Sequence, residues 1–205
     1  MNNSQSYTRD DVELVGRETL YKGFCRIDRL SLRHRLFNGD MGPVIVRELA
    51  VRRAAAAVLI YDPQHDEVLL IEQFRAGALD TAHPWQIEVV AGLVEPDEDP
   101  ADLVRREARE EAGVELIELE RVMEYLPSSG GSDEVTTLFV GHADLTHAGG
   151  IHGLAEEGED IRVNVMSVNQ ALAALANGRI ANASCIIALQ WLALNKARLA
   201  ARWKV

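Results

Sequence analysis

Glu107, Glu110 and Glu111 stand at i, i+3 and i+4 within "RREAREEAGV", residues 105–114. In an α-helix that spacing gathers the three carboxylates on one face. Like charges one turn apart repel by about 0.2–0.5 kcal/mol per pair, so the crowding calls for counter-charge. Two arrangements supply it. Arg106 with Glu110, and Asp102 with Arg106, form favourable i, i+4 pairs, as on an ordinary solvated surface helix. Alternatively, a hard cation such as Mg²⁺ takes the carboxylate oxygens as ligands. From Gly92 to Val114 there are eight acidic and three basic residues, a local balance of −5 in a chain of net charge −11. Gly92 lets the backbone turn sharply beside the helix, where a main-chain carbonyl could add another oxygen ligand.

The helix that carries these residues has clear ends. Asp99 suits the N-cap, Pro100 the first helical position, and Gly113 the C′ position. Upstream, residues 30–36 alternate apolar and polar, which predicts a half-buried strand. Asn38-Gly39 is a tight-turn signal, and "VIVREL" (44–49) reads as the returning strand. Residues 1–50 are therefore expected to form a small antiparallel β subdomain whose apolar face needs a partner, and 51–205 the main domain. Within the latter, "AAAAVLIY" (54–61), "EVLLIEQF" (67–74), "WQIEVV" (85–90), "TTLFVGH" (136–142) and "DIRVNVM" (160–166) read as strands. "SVNQALAALANG" opens with Ser167 and Gln170 in capping-box spacing, and a last helix runs from after Asn182 to about Arg202. Strands and helices mix without a βαβ repeat, so the fold class is α+β with a mixed sheet.

The 205 residues, 47% of them hydrophobic, suffice for one good core. The acidic balance disfavours a nucleic-acid partner. Cys25 and Cys185 lie in apolar sequence without metal-ligand spacing and read as free thiols. The N-terminus has no apolar run resembling a signal peptide, and the longest apolar segment is too short and too polar to span a bilayer. A cytoplasmic protein is the expectation. His34, His147 and His152 receive no role.

Gly92, Glu98 and Arg106-Glu107-Ala108-Arg109-Glu110-Glu111-Ala112-Gly113-Val114 resemble the Nudix hydrolase box, with nine defined positions over 23 residues at its fixed gaps. The resemblance implies a Nudix α/β/α sandwich with a mixed sheet. It also implies hydrolysis, dependent on Mg²⁺ or in its place Mn²⁺, of a nucleoside diphosphate linked to another moiety. It puts the metal on Glu107 and Glu111, with Glu110 and the carbonyl of Ala91 as further ligands. Arg106 would orient the glutamates, and Glu98 would brace the loop beside Gly92.

The flanks add more. "GRETLYKGF", "RHRLFNG", "VLLIEQFR", "PWQIEVVAG", "SSGGSDE" and "GIHGLAEEGEDIRV" resemble bacterial ADP-ribose pyrophosphatases over about residues 11–203. That likeness implies Glu157 as the general base on a late loop, and Glu159 as an additional metal ligand. Without it, "AEEGED" is simply an acidic solvated turn. It implies substrate contacts from Phe24 stacking on adenine, from Arg47, Glu48 and Arg52 nearby, and from Arg75 on phosphate. Leu93 would line the base pocket, in place of a more usual methionine. Ser128, Gly130 and Glu134 would lie near the terminal ribose. It also implies a homodimer in which the N-terminal β subdomain is exchanged. ADP-ribose is then the expected substrate, with another nucleoside diphosphate sugar such as GDP-mannose as the alternative. A non-catalytic ADP-ribose-binding sensor is a weaker alternative, because the box glutamates are all present and no basic helix-turn-helix region is.

Overall fold

The computed structural model describes residues 6–154 and 158–203. They form two compact units, one of 6–52 with 126–134, the other of 53–125 with the described residues beyond 134.

In the first unit β1 (Val12–Lys22), β2 (Arg26–His34) and β3 (Ile45–Val51) form an antiparallel sheet in that order. The sequence predicted the pairing of β2 with β3 but not β1, whose Gly16 and charged residues blur the alternation. The Asn38-Gly39 signal marks a turn inside a longer connection, closed by the Arg35–Met41 bridge, rather than a two-residue hairpin. Gly39 takes φ 95°, which a side chain would resist. Asp28 is buried in this sheet. Its carboxylate accepts from Arg17 Nε (2.5 Å) and Thr19 Oγ1 (2.9 Å), so burial does not leave the charge alone. Residues 126–134 also belong to this unit: Ala50 N donates to Gly131 O (2.8 Å). The sequence offered no signal for that.

The second unit holds an eight-stranded mixed sheet. Its elements are β4 (Ala55–Asp62), β5 (Glu67–Phe74), β6 (Trp85–Glu88), β7 (Val90–Leu93), β8 (Glu118–Tyr125), β9 (Thr136–His142), β10 (Gly150–His152) and β11 (Ile161–Ser167). The strand order is β10-β11-β5-β4-β9-β8, with β6 added to β5 and β7 to β4. Among the described strands of this sheet only β4 and β9 pair in parallel. The segment read as one strand, 85–90, is two. The break at Val89 moves the chain from β5 to β4, so β7 lies against the middle of the sheet. Strands β8 and β10 escaped the sequence reading, β10 because three residues show no period.

Strand β4 is buried on both faces, and its alternate residues serve different layers. Ala56, Val58 and Ile60 pack with Leu103, Val104, Ala108 and Ala112 of α1 (Pro100–Ala112). Ala57, Leu59 and Tyr61 pack instead with Val168 and Ala171 of α2 (Val168–Ala176) and with Leu189 and Leu192 of α3 (Ala183–Arg202). This is a helix/sheet/helix sandwich. Truncating a fully buried leucine here, such as Leu189 to alanine, would cost about 2–5 kcal/mol. The caps match expectation: Asp99 accepts from Ala101 N, Ser167 and Gln170 close a capping box, and Asn182 accepts from Cys185 N. Among the described residues no helix is long and apolar enough to cross a membrane.

Candidate active site

Helix α1 lies across β7, and its buried face is not wholly apolar. Glu111 is 4% exposed. Glu107, one turn earlier on that face, is half-buried against Gly92 of β7. The cause is local. Gly92 has no side chain, and a Cβ built there would fall 2.7 Å from Glu107 Cδ. Ala91 N donates to Glu111 Oε2 (3.3 Å), which aims the second carboxylate at the same strand.

Burial pushes the Glu107 carboxyl up to about 7; Arg106 opposes the shift, while the charges of Glu110 and Glu159 add to it. Burial likewise pushes Glu111 up to about 8, reinforced by Glu107 and Glu159 and opposed by the Ala91 N–H and the charge of Arg75. Two desolvated carboxylates, each raised further by neighbouring carboxylates, form an electrostatic hole that a cation would fill.

Glu110 is turned differently: its Oε2 accepts from Arg106 Nη1 (2.8 Å). Arg106 also lies 3.0 Å from Glu107 Oε1 and 3.4 Å from Glu98 Oε1. The pair of Arg106 with Asp102, open to it by spacing, is not made. Glu98 Oε2 accepts from Glu95 N (3.1 Å), tying the loop before α1 to Arg106. Glu159 Oε2 accepts from Leu154 N (3.1 Å). Gly153, at φ 100°, lets that loop pass close to Glu159. Arg75, after β5, contacts Glu88 Oε2 through Nε (2.9 Å) and Nη2 (2.8 Å). Leu93 is half-buried at the end of β7, opposite Ala55. Glu157 lies outside the described residues.

Among the described residues no three His, Cys, Asp or Glu side chains already form a closed metal cage. The oxygen-only donor set of Glu107 and Glu111, with Glu159 near enough to shift both, nonetheless fits Mg²⁺. That ion binds through one or two carboxylates and keeps other positions for water and substrate phosphates.

The remaining expected residues belong to the first unit. Phe24 sits on the β1–β2 turn, 90% exposed, so it is not ordinary core. Arg47 and Glu48 are exposed on β3. Arg52 is fixed on three sides: its N–H donates to Asp133 Oδ1 (2.8 Å), its Nε to Glu134 Oε2 (3.3 Å), and its Nη1 to Cys25 Sγ (2.7 Å). Cys25, expected in apolar surroundings, thus has a cation as neighbour. Both cysteines are free, as expected. Ser128 O accepts from the N–H groups of Gly131 and Ser132, and the space beside Gly130 is open.

The model of the NUDIX domain family matches residues 51–201. The chain belongs to the Nudix family. An ADP-ribose pyrophosphatase of Escherichia coli K12 is 48% identical to it over 199 residues, which are 97% of this chain and 95% of that protein. A GDP-mannose pyrophosphatase of Cronobacter sakazakii is 36% identical over 150 residues, 72% of this chain and 78% of its own. The crystal structure of an ADP compounds hydrolase shares the fold, with TM-score 0.68 and 18% identity over 91% of this chain and 97% of that one.

In this Nudix sandwich two residues beyond those the sequence singled out for the site are linked to Arg75. Glu88 is buried and paired with Arg75, and Asn182 donates to it. A sequence signal for Glu88 existed: it is the one charge in "WQIEVV", and an acid in a buried strand needs partners. Asn182 was legible only as a helix cap.

Proposed function

We propose that this chain is a hydrolase that cleaves the pyrophosphate of ADP-ribose to AMP and ribose 5-phosphate with the help of Mg²⁺. The observation that carries this reading is the pair of α1 carboxylates set against β7, Glu107 crowding Gly92 and Glu111 accepting from Ala91 N, both pushed up by desolvation. The choice of ADP-ribose is supported by near full-length likeness to a protein of that name, against a shorter and weaker likeness to a GDP-mannose pyrophosphatase.

Glu107 and Glu111 hold the metal, with Glu110, Glu159 and the Ala91 carbonyl as further oxygen donors. Bound there, Mg²⁺ supplies neutralisation of the pyrophosphate charge and lowers the pKa of the attacking water. Arg106 keeps the glutamates apart and oriented, Glu98 braces the loop before α1, and Gly92 of β7 leaves room for Glu107. Arg75 places its guanidinium on phosphate oxygens. Glu157 takes the proton of the attacking water. Phe24, Arg47, Glu48, Arg52 and Leu93 receive the base, and Ser128, Gly130 and Glu134 the terminal ribose.

The same reading includes a homodimer with the N-terminal subdomain of residues 1–50 exchanged, so that Phe24 and Arg47 serve the partner's site. It is supported by the exposed Leu14, Val15, Leu20, Tyr21, Val44 and Val46 of the three-stranded unit, an apolar surface that water would not favour. The protein acts in the cytoplasm, without nucleic-acid or membrane partners.

Turnover of a nucleotide-sugar panel with Mg²⁺ in ¹⁸O-water tests the substrate. Fastest cleavage of ADP-ribose, with label in AMP or in ribose 5-phosphate, is the expected result. Preference for GDP-mannose, or tight ADP-ribose binding without cleavage, would overturn it.

A further inference from the structure

Glu88 ends β6 and is 4% exposed. A carboxylate taken out of water so completely must be paired and hydrogen-bonded. Its two oxygens divide the task. Oε2 accepts from Arg75 Nε (2.9 Å) and lies 2.8 Å from Arg75 Nη2. Oε1 accepts from Asn182 Nδ2 (3.0 Å).

Asn182 is itself fixed. Its Oδ1 accepts from Cys185 N (3.1 Å) as the N-cap of α3. The oxygen therefore faces the helix, and the amide nitrogen has to face Glu88. A chain of contacts runs from the end of α3 through Asn182 and Glu88 to Arg75. At its end the guanidinium keeps Nη1 without a hydrogen-bond partner among the described residues, and its charge reaches Glu111. The Arg75 backbone is held as well, its N–H donating to Pro84 O (2.9 Å).

We infer that Glu88, anchored by Asn182, is a positioning residue that presents Arg75 to the pyrophosphate of the substrate. This rests on the proposed hydrolysis of ADP-ribose. An arginine on a loop has many rotamers, and holding two of its nitrogens on one buried oxygen removes most of them before substrate arrives. The remaining edge is left for a phosphate oxygen. Asn182→Ser separates the roles, because serine still caps the helix but does not donate an amide N–H to Glu88.

A double-mutant cycle tests the inference. Wild type, Glu88→Gln, Arg75→Ala and the double variant are compared by kcat and KM for ADP-ribose with Mg²⁺. The Kd of α,β-methylene ADP-ribose, read by calorimetry, gives a measure independent of turnover. Glu88→Gln is expected to weaken kcat/KM and Kd about tenfold when Arg75 is present, and less than about twofold in the Arg75→Ala background. Asn182→Ser is expected to lose about threefold, again only with Arg75 present. If Glu88→Gln does not fold, Asn182→Ser with Arg75→Ala completes the same cycle. Equal fold losses in both backgrounds would overturn the inference, as would an Arg75→Ala variant with wild-type Kd and kcat/KM. A wild-type protein that neither binds the analogue nor cleaves ADP-ribose would overturn the proposed function itself, and the inference with it.

Discussion

Gly92 and Glu107 share one space: the Cβ that any other residue would place at 92 falls 2.7 Å from Glu107 Cδ. The glycine is there for the carboxylate. Gly92→Ala would push a flexible side chain aside rather than break the strand. The expected outcome is a folded protein whose turnover falls at least about tenfold and needs more Mg²⁺. A Mg²⁺ titration of initial rates checks it, with circular dichroism to confirm the fold.

Glu111→Gln tests the proposed metal ligand and leaves side-chain volume nearly unchanged. Activity should fall at least about a hundredfold even at saturating Mg²⁺. In EDTA at pH 8 the variant should melt above wild type, because it buries no ionising carboxyl. Near-normal activity would remove Glu111 from the metal site.

Stability in EDTA should decline with pH in a defined window. Glu107 and Glu111 are raised from an ordinary 4.5 to about 7 and about 8. In that interval the folded chain holds more protons than the unfolded one, so unfolding free energy falls as pH rises. The contribution is full below 4.5 and lost as pH passes 7 and then 8. Asp11, Asp28, Asp62, Glu120 and Asp144 are lowered and act oppositely, weakening the fold as pH falls through the acid range. Thermal scans in EDTA should therefore peak in mildly acidic buffer. Mg²⁺ should flatten the alkaline limb, since it favours the ionised carboxylates. An unchanged alkaline limb on adding Mg²⁺ would argue against binding there.

Glu157→Gln should lower kcat with little change in KM, as for a group that acts in the transition state. Steady-state kinetics with ADP-ribose decide it; a change in KM alone would make Glu157 a binding residue.

Sedimentation equilibrium should give twice the chain mass of 22.6 kDa. Leu14→Asp on the three-stranded sheet should shift the equilibrium to monomer and reduce activity together with it. A wild-type monomer with full activity would dismiss the exchanged dimer.

Local rules made much of this chain legible. The caps Asp99, Ser167 and Asn182, the C′ glycine at 113 and the central strands follow from short-range chemistry. So does the helix face of Glu107 and Glu111, whereas a bracing role for Glu98 came only with the resemblance to the Nudix box, and its contact with Arg106 only with the fold. Strands β1, β8 and β10 were hidden, because pairing rather than propensity makes them strands. The break at Val89 was invisible for a like reason: an apolar run does not tell which neighbour it joins.

The sequence by itself determined the chemistry available: a line of carboxylates on one helix, a glycine at a set distance before it, and an acidic loop after. Tertiary structure decided what those groups are worth. Burial between α1 and the sheet raises Glu107 and Glu111, whereas Glu110, one position from Glu111, turns to an ion pair with Arg106. Packing again makes Glu88 the partner of both Arg75 and Asn182, although 94 residues separate Glu88 from Asn182. Spacing along a helix is a local property. Desolvation depends on what the rest of the chain lays over a side chain, and only the packed fold specifies that.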